Sequence, residues 1–298
     1  MSSAIELYDI TKVYDLSGTA KVEALRGVDL KIEKGELVSI MGPSGCGKST
    51  LLNIIGGLDN PTKGRVIVDG INITSMHEVK LATFRSERVG FVFQFFNLVP
   101  TLTALENVKL PMDLGEKLPL EKSKERATKL LNLVRLGERL HHMPNQLSGG
   151  QQQRVAIARA LANDPSIVIA DEPTGSLDSK GGAEIMQLIQ HLNKTMNKTF
   201  ILVTHDPNVA KMTHRVVHML DGQVLETTQP SKGEPDVKGA LEAQREILLA
   251  EMEWLKKALL LEEVRIEKEP QAYNDAVTEY AKRWKQLKRS LRDLRLEA

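Results

Sequence analysis

The sequence predicts an α/β fold, a mainly parallel sheet covered by helices on both faces. Two observations carry this. Ile167 to Ala170 and Phe200 to Val203 are short apolar runs of strand length, as expected of strands buried on both faces of a parallel sheet. Helical patterns alternate with them, from Ser148 to Ala162 before the first and near 180–195 between the two, the order that βα repetition produces.

In chain order, residues 5–40 alternate apolar and polar positions, as in Val28-Asp29-Leu30-Lys31-Ile32 and Leu37-Val38-Ser39-Ile40, and read as several strands. Val66 to Ile73 carries Asp69-Gly70 between β-branched runs, a hairpin signal. A polar, helix-prone stretch covers roughly 120–142. Near Thr227 to Gly239 the composition turns to Pro, Gly, Ser and charge, as in a linker. Beyond it, Leu248, Met252, Leu255 and Leu259 step by four, three and four. After Pro270, Tyr273, Val277, Tyr280, Trp284, Leu287, Leu291 and Leu294 do likewise. This is a coiled-coil seam, and the proline between the two stretches suggests an antiparallel helical hairpin. The expected division is a domain over 1–228, a linker over 229–238 and the hairpin over 239–298. No internal repeat is visible.

The 298 residues, 41% of them hydrophobic, can build one large domain and an appendage. A net charge of +1 provides no global field, so no nucleic-acid partner is expected. The single cysteine, Cys46, excludes a disulfide within the chain and suits a reducing compartment. No apolar run reaches 18 residues: Ile247 to Leu261 is broken by Glu251, Glu253, Lys256 and Lys257. The N-terminus lacks the pattern of a secretory signal. The expectation is a cytoplasmic protein that serves a membrane, if at all, through a partner.

Two segments carry chemistry. Gly42-Pro43-Ser44-Gly45-Cys46-Gly47-Lys48-Ser49 fits the phosphate-binding P-loop pattern directly after the strand pattern Leu37–Met41. Its glycines let successive N–H groups face one point and form a nest for phosphate oxygens. A helix starting near Lys48 adds its positive end. Lys48 is expected on the β- and γ-phosphates and the Ser49 hydroxyl on Mg²⁺, with Thr50 completing the ATP-binding stretch. A bulky reagent on Cys46, inside this cradle, is expected to block ATP. The second segment is Asp171-Glu172 at the end of an apolar strand. Asp171 would hold magnesium through its water shell and Glu172 would polarise the attacking water, since phosphoryl transfer depends mainly on positioning and charge compensation.

Leu147-Ser148-Gly149-Gly150-Gln151, followed by Gln152-Gln153-Arg154, resembles the signature of ABC-type ATPases and lies some twenty residues before the acidic strand end. A hydroxyl and glycine amides at a helix start make a second phosphate-binding surface; the resemblance implies that it addresses ATP held by the other copy of a head-to-tail homodimer. By the same resemblance, Gln94 is the loop glutamine that reaches magnesium and reports to an integral-membrane permease. Ser176-Leu177-Asp178 is the loop across the dimer interface, His205 contacts the γ-phosphate, and Tyr14 stacks on adenine. The resemblance spans roughly 3–225. It implies a P-loop core, an antiparallel β subdomain, and a helical subdomain around 95–160 bearing the signature.

Gly90 to Pro100 and Asp171 to Asp178 resemble the lipoprotein-releasing and macrolide-export ATPases, whose membrane subunits turn ATP into motion of an extracytoplasmic domain. That implies a peripheral place on the inner face of the membrane. A cell-division ATPase with a similar membrane partner, or an ATPase acting on ribosomes or DNA, are the alternatives. Lys282, Arg283, Lys285, Lys288, Arg289, Arg292 and Arg295 crowd the last helical stretch. They form a solvated face or a contact with anionic lipid, another copy, or the membrane subunit.

Overall fold

The structure, a computed structural model, describes residues 3–16, 20–115 and 118–229, together with Lys282, Lys285 and Lys288. The chain divides into two units, Met1–Pro230 and Ser231–Ala298. In the second, the three lysines are helical and exposed. Apart from these and Gln229, the expected linker and hairpin lie outside the described residues.

The first unit runs β1 (Ser3–Leu16), β2 (Ala20–Glu33), β3 (Leu37–Met41), α1 (Lys48–Ile55), β4 (Lys63–Val68), β5 (Ile71–Asn72), α2 (Glu78–Arg88), β6 (Val89–Val92) and α3 (Ala104–Leu114). It continues with α4 (Leu120–Leu133), α5 (Gly149–Ala160), β7 (Ile167–Asp171), α6 (Ser179–Met196), β8 (Thr199–Val203), α7 (Pro207–Lys211), β9 (Arg215–Leu220) and β10 (Gln223–Thr228).

Two sheets result. The first is antiparallel, in the order β2-β1-β4-β5. Its tightest turn matches the sequence signal: Val68 faces Ile71, and Asp69 and Gly70 both have positive φ, 52° and 80°, the geometry that makes an Asp-Gly pair favourable. The second sheet has the order β10-β9-β3-β8-β7-β6; all its neighbours are parallel except the edge pair β10 and β9. Every residue of β3 and β8 is buried. Because side chains alternate across a strand, Val168 and Ala170 enter one core with Phe200, Leu202 and Ile157, while Ile167 and Ile169 enter another with Ile201, Leu51 and Ile5. The second core joins the two sheets through α1.

Register sets the working edge. Ile40 of β3 pairs with Val203 of β8, which pairs with Asp171 of β7. The chain therefore leaves three neighbouring strands at one level, at Gly42, Thr204 and Glu172.

The helix expected over 120–142 is shorter. It ends at Leu133, Arg135 is left-handed at φ 63°, and two short 3-10 turns follow at Gly137–Arg139 and Pro144–Gln146. Helix α3 escapes the sequence pattern because Pro111 sits inside it; Thr103 and Glu106 cap its start reciprocally. Among the described residues, no helix is long and apolar enough to cross a membrane.

Candidate functional site

The loop between β3 and α1 is shaped by close approaches. Gly45 and Gly47 have φ of 81° and 100°, conformations open to glycine at little cost. A Cβ at Gly42 would lie 2.2 Å from the Met219 carbonyl oxygen, and one at Gly47 would lie 2.4 Å from that of Ala24. Both glycines are therefore required by the backbone of β2 and β9 packed behind the loop. Lys48 is buried, and its Nζ donates to the carbonyls of Gly42 and Pro43 at 2.8 and 2.7 Å. Cys46 Sγ lies 3.8 Å from the same ammonium. The thiol is 3% exposed, and burial raises its pKa above the ordinary value. The thiolate is therefore disfavoured and a bulky reagent has no direct access, so labelling at this cysteine is slow.

The acidic strand end sits beside this loop. Ser49 Oγ donates to Asp171 Oδ2 at 3.3 Å. Desolvation, reinforced by the Glu172 charge, pushes the Asp171 carboxyl up, against the pull of Ser49 and Lys48. Glu172 is left-handed at φ 45°, and its N–H donates to the Val203 carbonyl at 3.0 Å. Such a conformation in a residue other than glycine costs roughly 1–2 kcal/mol and marks a side chain held where the strand would not place it. Glu172 Oε1 accepts from His205 Nδ1 at 2.9 Å. That hydrogen bond is the main reason its pKa falls below the usual carboxylate value, despite partial burial. Gln94 belongs to the same group: a Cβ at Gly175 would lie 3.0 Å from Gln94 Nε2 and 3.1 Å from Glu172 Oε2. Ser176 Oγ donates to the Gln94 carbonyl at 3.0 Å. Lys48, Ser49, Asp171, Glu172, His205 and Gln94, read separately from sequence, thus gather at one sheet edge.

Ser148 to Gln151 stands elsewhere on the unit, as the start of α5. The Ser148 hydroxyl accepts from the Gln151 N–H, and Gln151 Oε1 accepts from the Ser148 N–H at 3.0 Å. Gly149 is hemmed in, with Leu177 and Phe96 within reach of a Cβ, whereas a Cβ at Gly150 would meet nothing within 4 Å. Asp178 caps α6 by accepting from the Gly181 N–H at 2.9 Å.

Tyr14 lies on β1 with its hydroxyl on Asp59 Oδ2 at 2.8 Å, and Lys12 Nζ sits 4.8 Å from its ring centroid. Lys12 also pairs with Asp59 at 2.6 Å. Burial and the Asp59 contact raise the phenol pKa, while a hydrogen bond with Thr50 opposes them, which places the ring beside the start of α1. Sequence reasoning missed Lys12 and Asp59. They are 47 residues apart and follow no pattern; only the fold pairs them.

A parallel sheet whose central strand feeds a glycine-rich loop and helix, with a carboxylate pair on the next strand but one, defines a P-loop nucleoside triphosphatase. The ABC transporter family model matches residues 25–175. The lipoprotein-releasing system ATP-binding protein LolD of Bacteroides fragilis is 47% identical over 221 residues, 74% of this chain and 100% of that protein. The macrolide export ATP-binding/permease protein MacB of Wolinella succinogenes is 49% identical over 226 residues, 76% of this chain and 35% of that protein. A solved dimeric post-hydrolysis state of the ATP-binding cassette MJ0796, bound to ADP and Pi, superimposes with a TM-score of 0.70 at 49% identity, covering 77% of this chain and 100% of that one. This chain belongs to the ABC transporter family and is an ATP-binding, ATP-hydrolysing subunit similar to the lipoprotein-releasing and macrolide-export ATPases.

Proposed function

We propose that two copies close head-to-tail on two ATP molecules, each held by residues 42–50 of one copy and Ser148 to Gln151 of the other. The observation that carries this is the pairing of a complete hydrolytic group at the sheet edge with a second helix start whose Gly150 faces open space. The dimeric MJ0796 cassette supports it. In this reading the N–H groups of Gly42, Ser44, Gly45, Cys46 and Gly47 bind the phosphates, Pro43, which has no N–H, fixes the turn between them, and Lys48 compensates charge on the β- and γ-phosphates. Glu172, depressed in pKa and so ionised at neutral pH, orients and polarises the attacking water. His205 holds Glu172 and reaches the γ-phosphate. Tyr14, steadied by Asp59, offers its ring to adenine, and Asp178 faces the second copy.

Ser49 and Asp171 suit Mg²⁺: a hydroxyl and a half-buried carboxylate offer the hard oxygen donors this ion takes, and a cation would offset the desolvation that raises Asp171. Gln94 would complete that set, and the ion would supply charge neutralisation on the phosphates. Dimer closure drives an integral-membrane permease docked on the Gln94 loop and helical subdomain, from the inner face of the membrane. The names of LolD and MacB point to lipoprotein release or efflux. Residues 239–298 form a helical hairpin in this proposal, supported by their heptad pattern and by exposed helical Lys282, Lys285 and Lys288.

The test is Glu172→Gln, which keeps shape but loses the charge that polarises water. With ATP and magnesium it should run as a dimer on gel filtration, and turnover should fall by about a hundredfold or more. A variant that stays monomeric under these conditions refutes the closed-dimer mechanism.

A further inference from the structure

Arg159 lies in the last turn of α5, at the opposite end of that helix from Ser148. Its side chain is partly buried, yet no carboxylate meets it among the described residues. Its Nη1 donates to the Asn97 carbonyl and its Nη2 to the Phe96 carbonyl, the latter at 2.8 Å. Burial lowers its pKa, as expected of a cation whose desolvation no opposite charge offsets. A partly desolvated charge facing only neutral acceptors is a poor route to stability, because an apolar or amide side chain could fill the site without that cost. The geometry it holds is also unusual. Phe96 and Asn97, two consecutive residues just past Gln94 in the loop after β6, are both left-handed, at φ 60° and 49°.

The kink reaches the signature turn. A Cβ on Gly149 would lie 3.3 Å from Leu177 and 3.7 Å from the tip of the Phe96 ring. Ser176, next to Leu177, binds the Gln94 carbonyl. Gln153, also on α5 and fully buried, donates to the Pro173 carbonyl at 2.8 Å, directly after Glu172. The loop carrying Gln94 thus runs along α5 with its backbone gripped at one end and its aromatic ring against the signature glycine at the other.

We propose that Arg159 is a positioning residue for ATP hydrolysis: its guanidinium, forked onto the Phe96 and Asn97 carbonyls, latches the Gln94 loop to α5 so that Gln94 and the Ser148–Gln151 turn move as one piece. Arg159 touches no reacting atom. It transmits the placement of the signature turn, which in the proposed dimer faces the partner's nucleotide, to the glutamine at the chain's own nucleotide. This rests on the role proposed above for Gln94.

The experiment is a double-mutant cycle on the full chain with Arg159→Gln and Gln94→Ala, read as ATPase kcat and KM and as thermal midpoint. Arg159→Gln should leave KM for ATP within about twofold and lower kcat about tenfold. Combined with Gln94→Ala it should add no further loss, because both changes interrupt one element. Arg159→Lys, which keeps the charge but not the fork, should recover less than half of the lost rate and serves in the same cycle if the glutamine variant does not fold. Unchanged kcat in Arg159→Gln, or losses that multiply in the double variant while Gln94→Ala alone is slow, overturn the latch and leave the role of Gln94 standing. Wild-type turnover in Gln94→Ala overturns both.

Discussion

Gly150→Ala separates what the helix needs from what the dimer needs. Gly150 occupies the first turn of α5, its φ is not positive, and a Cβ there meets nothing within 4 Å. Within one chain the methyl is harmless. It also reduces the freedom of the unfolded chain, which for glycine in a helix interior is worth about 1 kcal/mol relative to alanine, and about half of that in a first turn. For a folded unit of this size, about 0.5 kcal/mol corresponds to a rise of about 1–2 °C in the thermal midpoint. In the proposed dimer the same methyl projects toward the partner's ATP and separates phosphate oxygens from the N–H groups at the start of α5. A hydrogen bond to a charged group is worth about 1.5–3 kcal/mol, so one lost contact slows turnover by about 10- to 150-fold. The assay pairs thermal unfolding of nucleotide-free protein with steady-state ATPase, and adds gel filtration of the change in a Glu172→Gln background. The expected result is a protein slightly more stable, much slower and poorer at dimerising. A variant that is more stable and fully active refutes the idea that this surface meets nucleotide at all.

Three further outcomes follow from the acidic strand end and the loop. Asp171 has a folded pKa raised by burial, so its ionised form costs stability once pH rises above the ordinary carboxylate range. Asp171→Asn should therefore stabilise the nucleotide-free protein at neutral pH while abolishing ATPase activity. The gain should vanish below that range, and a gain independent of pH contradicts the assignment. Glu172 has the opposite sign: its folded pKa is depressed by His205, so the pair contributes stability above the unfolded Glu pKa that is lost as pH falls through the folded one. His205 is largely exposed, so His205→Ala should cost less than about 1 kcal/mol at pH 7 and nothing in strong acid, measured by denaturant titration. Cys46, buried with a raised pKa, should react with an aromatic disulfide far more slowly than a free thiol at pH 7.5, with ATP slowing it further; labelling at the free-thiol rate shows the loop to be open.

The elements that could be read locally are those whose cause is local. Asp69-Gly70 makes its turn because two adjacent residues must take positive φ, and Ser148 starts α5 because its hydroxyl meets an N–H three residues on. The P-loop announces itself because glycine conformation, lysine and hydroxyl lie within eight positions. Even the heptad pattern past Pro270 is a local periodicity, although it falls outside the described residues. Where a competing local signal intervened, the pattern misled: Arg135 turns left-handed and ends α4 within a stretch that reads as helical to 142, and Pro111 hides α3.

Other features are decided by contacts between distant segments. The order β9-β3-β8-β7 sets Gly42, Glu172 and Thr204 at one level, and no strand's own sequence names its neighbour. Burial of Cys46, which protects its thiol, comes from the loop folding against Met219. The Lys12–Asp59–Tyr14 group and the Arg159 fork join residues 45 to 63 positions apart. By itself the sequence determined which residues can bind phosphate and where helices can start, because those properties reside in single side chains and short stretches of backbone. Which of them share a site, what surrounds each charge, and therefore which proton each carboxylate keeps, were decided only by tertiary packing, because desolvation and register arise from whole elements laid against one another.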